Sequence, residues 1–457
     1  MSARLGSRAA LLAGALLIGP IAGALAARKP TITLLLCLAV IGVLALASLG
    51  DRAFPWALVF VSVAPWYPFT GSSAEPPILK QLYLCLAIIA AVLIPWLWSL
   101  ATGARRRPAS RIVLLYAVLS LGYIVLVYNS VGGIGAMVQS GTVGFLMGGI
   151  TFLCARRFAD GKAWVSACFA GLALLSLQGA LAFAADPGDR VGSFVGHGIT
   201  YGALVVSMLP AALLFAAKRS RLLVLGTGVV AATMLILSQS RSSWLATMLM
   251  VLYVVILLAR RGDMRAVFYV TLGLAVALTV ILSTGSLRNI VEKRINSQVT
   301  QSEAVTHREF SLHYAGSQIR QRPVFGAGRP GYAAEQIGAE TDLQAVDNGY
   351  LSVAIDLGLL GLLIALVPIG VAIRVLGRAL RLGAAPPVDL ALALGIMGVA
   401  VVTLFYDSFY WAQLDLMMFG MGGVLSARLA AQRALEPIAL PRRRFRIAAG
   451  RGRFVTD

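Results

Sequence analysis

Apolar runs of about 18 residues or more recur from the first turns of this chain to residue 430. Each is long enough to cross a hydrocarbon core of about 30 Å. The candidate spans are residues 9–27, 31–49, 53–68, 79–101, 111–128, 135–155, 163–184, 200–216, 221–238, 242–259, 265–284, 349–373, 389–406 and 413–429. The third is short and interrupted by Pro65, which brings the expected number to about 12–14. Composition agrees: 59% of the 457 residues are hydrophobic and 13% charged, with a mean hydropathy of +0.83. A soluble domain has roughly a quarter of its residues charged. The runs lack the ten-residue alternation of an outer-membrane barrel, and a spanning segment must satisfy its own backbone. The expected fold is an all-α polytopic membrane bundle.

The charges orient that bundle. Lys and Arg number 39 against 19 Asp and Glu, a net charge of +20. With both termini cytoplasmic, 27 basic residues fall on the inner side and 12 on the outer. The inner loops hold clusters such as Arg105–Arg107, Lys218/Arg219/Arg221, Arg260/Arg261/Arg265 and Arg374/Arg378/Arg381. Short basic connectors are what the positive-inside rule requires, so the excess reads as orientation rather than nucleic-acid binding. The tail 431–457, with Arg442–Arg444 and Arg446, suits contact with an anionic leaflet. Arg28 and Lys29, placed outside, are the one local disagreement. A second apolar stretch follows them directly, so the first run is expected to be a retained helix rather than a signal peptide. Cys37, Cys85, Cys154 and Cys168 all sit in apolar stretches, which argues against structural disulfides and zinc.

The chain therefore divides into helices over 1–184, helices with short external loops over 185–284, a large external loop over 285–348, helices over 349–430 and the basic tail. The loop carries seven basic and seven acidic residues. A connector of that length is usually functional or disordered. Its apolar residues allow folding, and the spacing from Thr306 to Gln321 predicts one or two short amphipathic helices lying over the bundle. The following Arg322-Pro-Val-Phe-Gly-Ala-Gly-Arg-Pro-Gly-Tyr332 reads as a tight turn. There Gly326 and Gly328 permit unusual dihedrals or close backbone approach. A second external loop, 185–199, holds Arg190 and His197, and a third, Ser238–Trp244, holds Arg241. Guanidinium groups make two-pronged bonds to phosphate at any relevant pH, and these arginines face one side of one membrane. The alternative is pairing with neighbours such as Asp189 or Glu309.

Taken in order, these stretches resemble the O-antigen ligase and polymerase superfamily, over about residues 185–375. The resemblance rests on Arg190-Val-Gly-Ser-Phe194, on Leu237-Ser-Gln-Ser-Arg241-Ser-Ser-Trp244, and on Arg308. It continues with Arg322-Pro-Val-Phe-Gly326-Ala-Gly328, Asp347-Asn348-Gly-Tyr350-Leu351 and Leu357-Gly-Leu-Leu-Gly361. It implies a bacterial inner-membrane enzyme that transfers glycans from undecaprenyl diphosphate on the periplasmic face, with lipid bilayer, lipid-linked donor and acceptor, and a chain-length regulator as partners. Two departures stand out. Family ligases carry a histidine before the asparagine where this chain has Asp347, and the Pro-Asn after the Gly-x-Phe element is missing. The Asp-Asn variant looks more like the repeat-unit and exopolysaccharide polymerase branch, so polymerase is the leading expectation. Transfer to lipid A–core by a ligase is the alternative.

Within that resemblance, Arg190 and Arg308 are assigned to the diphosphate, with Arg241 behind them. No metal or other cofactor is expected, because the external face offers no acidic or histidine cluster of ligand spacing. Asp347 is the first candidate for accepting the acceptor hydroxyl's proton, ahead of His197, His307 and His313, and its structural alternative is helix capping. Asn348, Tyr350, Arg322, Gly326 and Gly328 complete the expected substrate contacts. A transporter would bring paired broken helices, internal repeats and midplane charge. No repeat is visible, and interior charge is limited to Asp356 and Asp415.

Overall fold

The computed structural model describes residues 53–63, 148–149, 151–152, 155–156, 160–185, 191, 197–283, 285, 288–289, 291–292, 302–327, 346, 348–383, 385–406, 409 and 411–435. The spans expected at 9–27, 31–49, 79–101 and 111–128, most of 135–155, and the basic tail beyond residue 435 lie outside the described residues. Among the described residues the fold is all helical, without strands. In chain order the helices are α1 (Ala53–Val63), α2 (Gly161–Ala185), α3 (Gly198–Ala217), α4 (Arg221–Leu237), α5 (Arg241–Arg260), α6 (Met264–Ser283), α7 (Ser302–Gln321), α8 (Gly349–Leu382), α9 (Pro387–Thr403) and α10 (Ala412–Leu435). Within α2, α3, α5, α8 and α10 lie stretches long and apolar enough to cross a membrane, while α4, α9 and parts of α1 and α6 are shorter apolar helices. This is a polytopic helical membrane protein.

Helix α3 lies at the centre, packed against α2, α4, α5, α9 and α10 and buried over most of its length. Small residues permit that density. A Cβ on Gly395 of α9 would come within 2.3 Å of the Ser207 carbonyl oxygen in α3, so the two backbones touch where a larger residue would separate them. By contrast α5 and α6 expose Met248, Leu252, Phe268 and Leu272, an apolar rim suited to lipid.

The two ends of the bundle differ. One gathers the α3–α4 and α5–α6 turns with Lys218, Arg219, Arg260 and Arg261. There Asp389, 1% exposed, joins three helices. Arg428 Nε and Gln432 Nε2 of α10 donate to its two carboxylate oxygens, the latter at 2.7 Å. Arg378 Nη1 of α8 donates to Gln432 Oε1 at 3.4 Å. The opposite end gathers the heads of α3, α5, α8 and α10.

Helix α8 is the exception to regularity. Its backbone leaves helical dihedrals at Gly358 (φ 67°, ψ −171°). In an unbroken helix the Leu359 N–H would donate to Ile355 O. Here Ile355 O accepts instead from Ala327 N–H at 2.9 Å, while Leu359 N–H donates to Pro323 O at 2.8 Å and Leu360 N–H to Val324 O at 3.3 Å. The turn Pro323–Ala327 thus takes over the groups that the break releases. Residues 359–382 alone would extend about 36 Å by helical rise, beyond the hydrocarbon thickness of about 30 Å. The two-turn outer segment Gly349–Leu357 is therefore not needed for crossing. A broken helix is a transporter's mark in sequence terms, and this one is built to dock a loop.

Candidate functional site

Three side chains start three helices at the end opposite the Asp389 clamp, the end expected from the basic connectors to face outward. His197 caps α3, its Nδ1 accepting the Ile199 N–H at 3.2 Å, so the neutral ring carries its proton on Nε2. Ser240 caps α5 and accepts from Ser243 N–H at 3.3 Å. Asn348 caps α8, its Oδ1 accepting the Tyr350 and Leu351 N–H groups at 3.0 and 3.2 Å. Capping at this helix, the structural role considered for Asp347, is performed by its neighbour.

Short links draw these heads together. The Val191 N–H donates to Leu237 O at 3.1 Å, so the residue after Arg190 sits at the end of α4, on the turn that leads to Arg241. That turn carries Gln239 at φ 51°, and a Cβ on Gly202 of α3 would meet the Ser243 and Ser238 hydroxyl oxygens at 2.6 and 2.9 Å. The Trp244 Nε1–H fastens the turn further by donating to Leu235 O at 2.6 Å. On the other side, Gly349 N–H donates to Tyr406 O at 3.2 Å, and the Tyr350 hydroxyl donates to Ala400 O at 2.9 Å.

Among the described residues, the 285–348 loop contributes helix α7, longer than the spacing predicted. Helix α7 packs on α8 through Tyr314 and Ala315, which meet Val346 and Ile355 with Ile319 and Leu351 beside them. Arg308 occupies a position three and seven residues before Ser311 and Ala315, both buried on that stripe. His307 belongs to the same helix; the side chains of both residues lie outside the described set. His313 is exposed. Arg322 is also exposed, where α7 gives way to the docking turn. The close approach expected of Gly326 is to the chain's own backbone: at φ 61°, a Cβ there would lie 2.4 Å from Ile355 O. Asp356, two residues before the break, is fully buried. Arg190, Asp347 and Gly328 lie outside the described residues.

One part of this end was not anticipated from sequence. The α9–α10 connection contributes Tyr406 and Trp411, whose rings lie 6.3 Å apart and 25° from parallel. His197 stacks on Tyr406 at 5.4 Å and 10°, and lies 6.3 Å from Trp411. Thr200 Oγ1 and the Tyr406 hydroxyl share a 3.2 Å hydrogen bond, and Tyr350 meets Phe409 edge-on at 5.7 Å. The signal was available: Phe405-Tyr406-Asp-Ser-Phe409-Tyr410-Trp411 has five aromatic residues in seven.

Fold and site together define a multi-pass helical membrane protein with its caps, polar turns and aromatic residues gathered at one end. Residues 226–366 match the family model described as O-Antigen ligase, which supports the O-antigen ligase and polymerase superfamily for this chain. Members of that family are membrane glycosyl-transferring enzymes. The matched stretch runs from α4 through the Arg241 turn and the outer loop to the middle of α8, and stops before the aromatic connection. No curated protein and no solved structure matches the chain.

Proposed function

We propose that the protein joins undecaprenyl-diphosphate-linked repeat units on the periplasmic face of a bacterial inner membrane, as an O-antigen or exopolysaccharide polymerase. The observation that carries this reading is convergence. Residue 191, the turn before Arg241, His197 and the head of α8 meet at the end opposite the basic connectors. In the proposed reaction an acceptor hydroxyl oxygen attacks the anomeric carbon of the donor sugar. The carbon–oxygen bond to diphosphate breaks, and undecaprenyl diphosphate leaves with the electron pair. Asp347 takes the hydroxyl proton, while Arg190 and Arg308, with Arg241 behind, hold the charge that develops on the diphosphate. Guanidinium geometry suits that task better than an ammonium point charge.

Arg190→Lys and Arg308→Lys test the assignment. Each should lower transfer by about 10²–10³-fold while melting in detergent stays unchanged. Arg433→Lys, exposed at the far end of α10, should be silent. Full activity in both outer variants would remove the arginines from the mechanism. The match to a family described as O-Antigen ligase favours a second reading, transfer to lipid A–core by a ligase. Supplying the purified enzyme with lipid-linked donor and either acceptor separates the two, since only a ligase glycosylates lipid A–core.

A further inference from the structure

We propose that Tyr406 and Trp411, with His197, form a stacking subsite for a pyranose ring of the lipid-linked glycan, beside the head of α8. This rests on the glycosyl-transfer reading above and adds a place for the sugar.

The position of the rings carries the argument. Aromatic residues near a membrane surface usually form a perimeter belt whose rings sit among lipid headgroups. These three do not lie on the perimeter. His197 heads α3, the helix at the centre of the bundle, and Tyr406 and Trp411 pack against the same core while staying half-exposed. Their rings stack into one aromatic wall, with Trp411 tilted 33° from His197, over the head of the central helix.

The wall is also tied to the chemistry. The Tyr406 carbonyl accepts from Gly349, two residues after Asp347 and immediately after the capping Asn348. Thr200, itself fully buried, shares a hydrogen bond with the Tyr406 hydroxyl and so fixes that ring. A pyranose has apolar C–H faces, so half-exposed aromatic rings complement it. Rings with a polar handle serve surfaces that are apolar on one side and wet on the other. A bare diphosphate would gain nothing from such a wall. All three residues lie outside residues 226–366, so the wall belongs to a part of the chain that the family match does not cover.

Full-length protein in lipid nanodiscs, carrying Trp411→Leu or Trp411→Phe, provides the test. Leucine keeps apolar volume but loses the flat face, whereas phenylalanine keeps a ring. The probes are undecaprenyl-diphosphate-linked oligosaccharide extracted from the source bacterium and bare undecaprenyl diphosphate. With Trp411→Leu, the KM for the glycan-bearing lipid should rise about 10–100-fold, the usual worth of truncating an aromatic anchor. A contact made equally in ground and transition states leaves kcat near wild type. Trp411→Phe should recover most of the KM, and binding of the bare lipid should match wild type in both variants. An unchanged KM in Trp411→Leu, no recovery with phenylalanine, or equal loss of bare-lipid binding would each overturn the subsite. If the wild-type protein neither binds nor transfers the glycan-bearing lipid, the glycosyl-transfer reading itself fails, and the subsite falls with it.

Discussion

Asn348 fills the cap of α8, and that separates two roles which an acid at position 347 could have combined. A cap needs an oxygen acceptor, whereas a general base needs an acceptor that can also hold a proton. Asp347→Asn should therefore leave melting and donor binding near wild type while single-turnover transfer falls by about 10²–10⁴-fold. Asn348→Ala should do the reverse, losing about 0.5–2 kcal/mol of stability, with activity following the folded fraction. Wild-type transfer by Asp347→Asn would move the proton acceptor elsewhere. His313, exposed on α7, would then be the next candidate, because the His197 Nδ1 is engaged by the Ile199 N–H. At this scale the sequence identified positions but not duties. Asp and Asn adjacent to a helix start both read as caps, and only the hydrogen bonds from Tyr350 and Leu351 show which one serves.

At the scale of elements, the break in α8 and the turn that fills it are one unit built from two glycines. Gly326 and Gly358 both hold left-handed dihedrals, and a Cβ on either would press into the other segment's backbone, 2.2 Å from Val324 O in the case of Gly358. A non-glycine residue in that region costs about 1–3 kcal/mol from backbone strain alone. Gly326→Ala and Gly358→Ala should each lower the melting temperature and expose the 285–348 loop to protease. Both damage the same three backbone hydrogen bonds, so the double variant should lose clearly less than the sum. Additive losses would mean that the glycines act separately. The sequence disclosed the spans here because a run of about 18 apolar residues records burial in lipid. The eight spans expected from 163 onward correspond to helices, with ends that differ by a few residues. The largest difference is at α8, which runs past Arg374 and Arg378 to Leu382 and stops at Gly383 in the left-handed region. The break was not legible, since Leu357-Gly-Leu-Leu-Gly361 has the apolarity of any helix. Apolar pattern records what a residue is buried in. It does not record which backbone, some thirty residues earlier in the chain, receives its hydrogen bonds.

Across the whole molecule, the short basic connectors and the proposed site occupy opposite ends. Lys218, Arg219, Arg221, Arg260, Arg261, Arg265 and Arg381 lie at helix ends or connectors on the side of the Asp389 clamp, while Arg241 heads a helix on the other side. Cationic connectors resist translocation, so the orientation we propose has the clamp end in the cytoplasm and the helix heads outside. In that orientation the aromatic and polar groups gathered around His197 would face the compartment where a lipid-carried glycan is presented. This orientation is open to direct measurement in a background from which Cys37, Cys85, Cys154 and Cys168 have been removed. Lys218→Cys, in the α3–α4 turn, and Gln321→Cys, at the end of α7, are both exposed and lie at opposite ends. A membrane-impermeant maleimide added to intact spheroplasts should label Gln321→Cys at once and Lys218→Cys only after permeabilisation. The reverse pattern would invert the molecule and put the helix heads in the cytoplasm, away from any periplasmic donor. Labelling of both from one side would break the alternation of α3 to α8 across the bilayer, and with it the assignment of these helices as membrane spans.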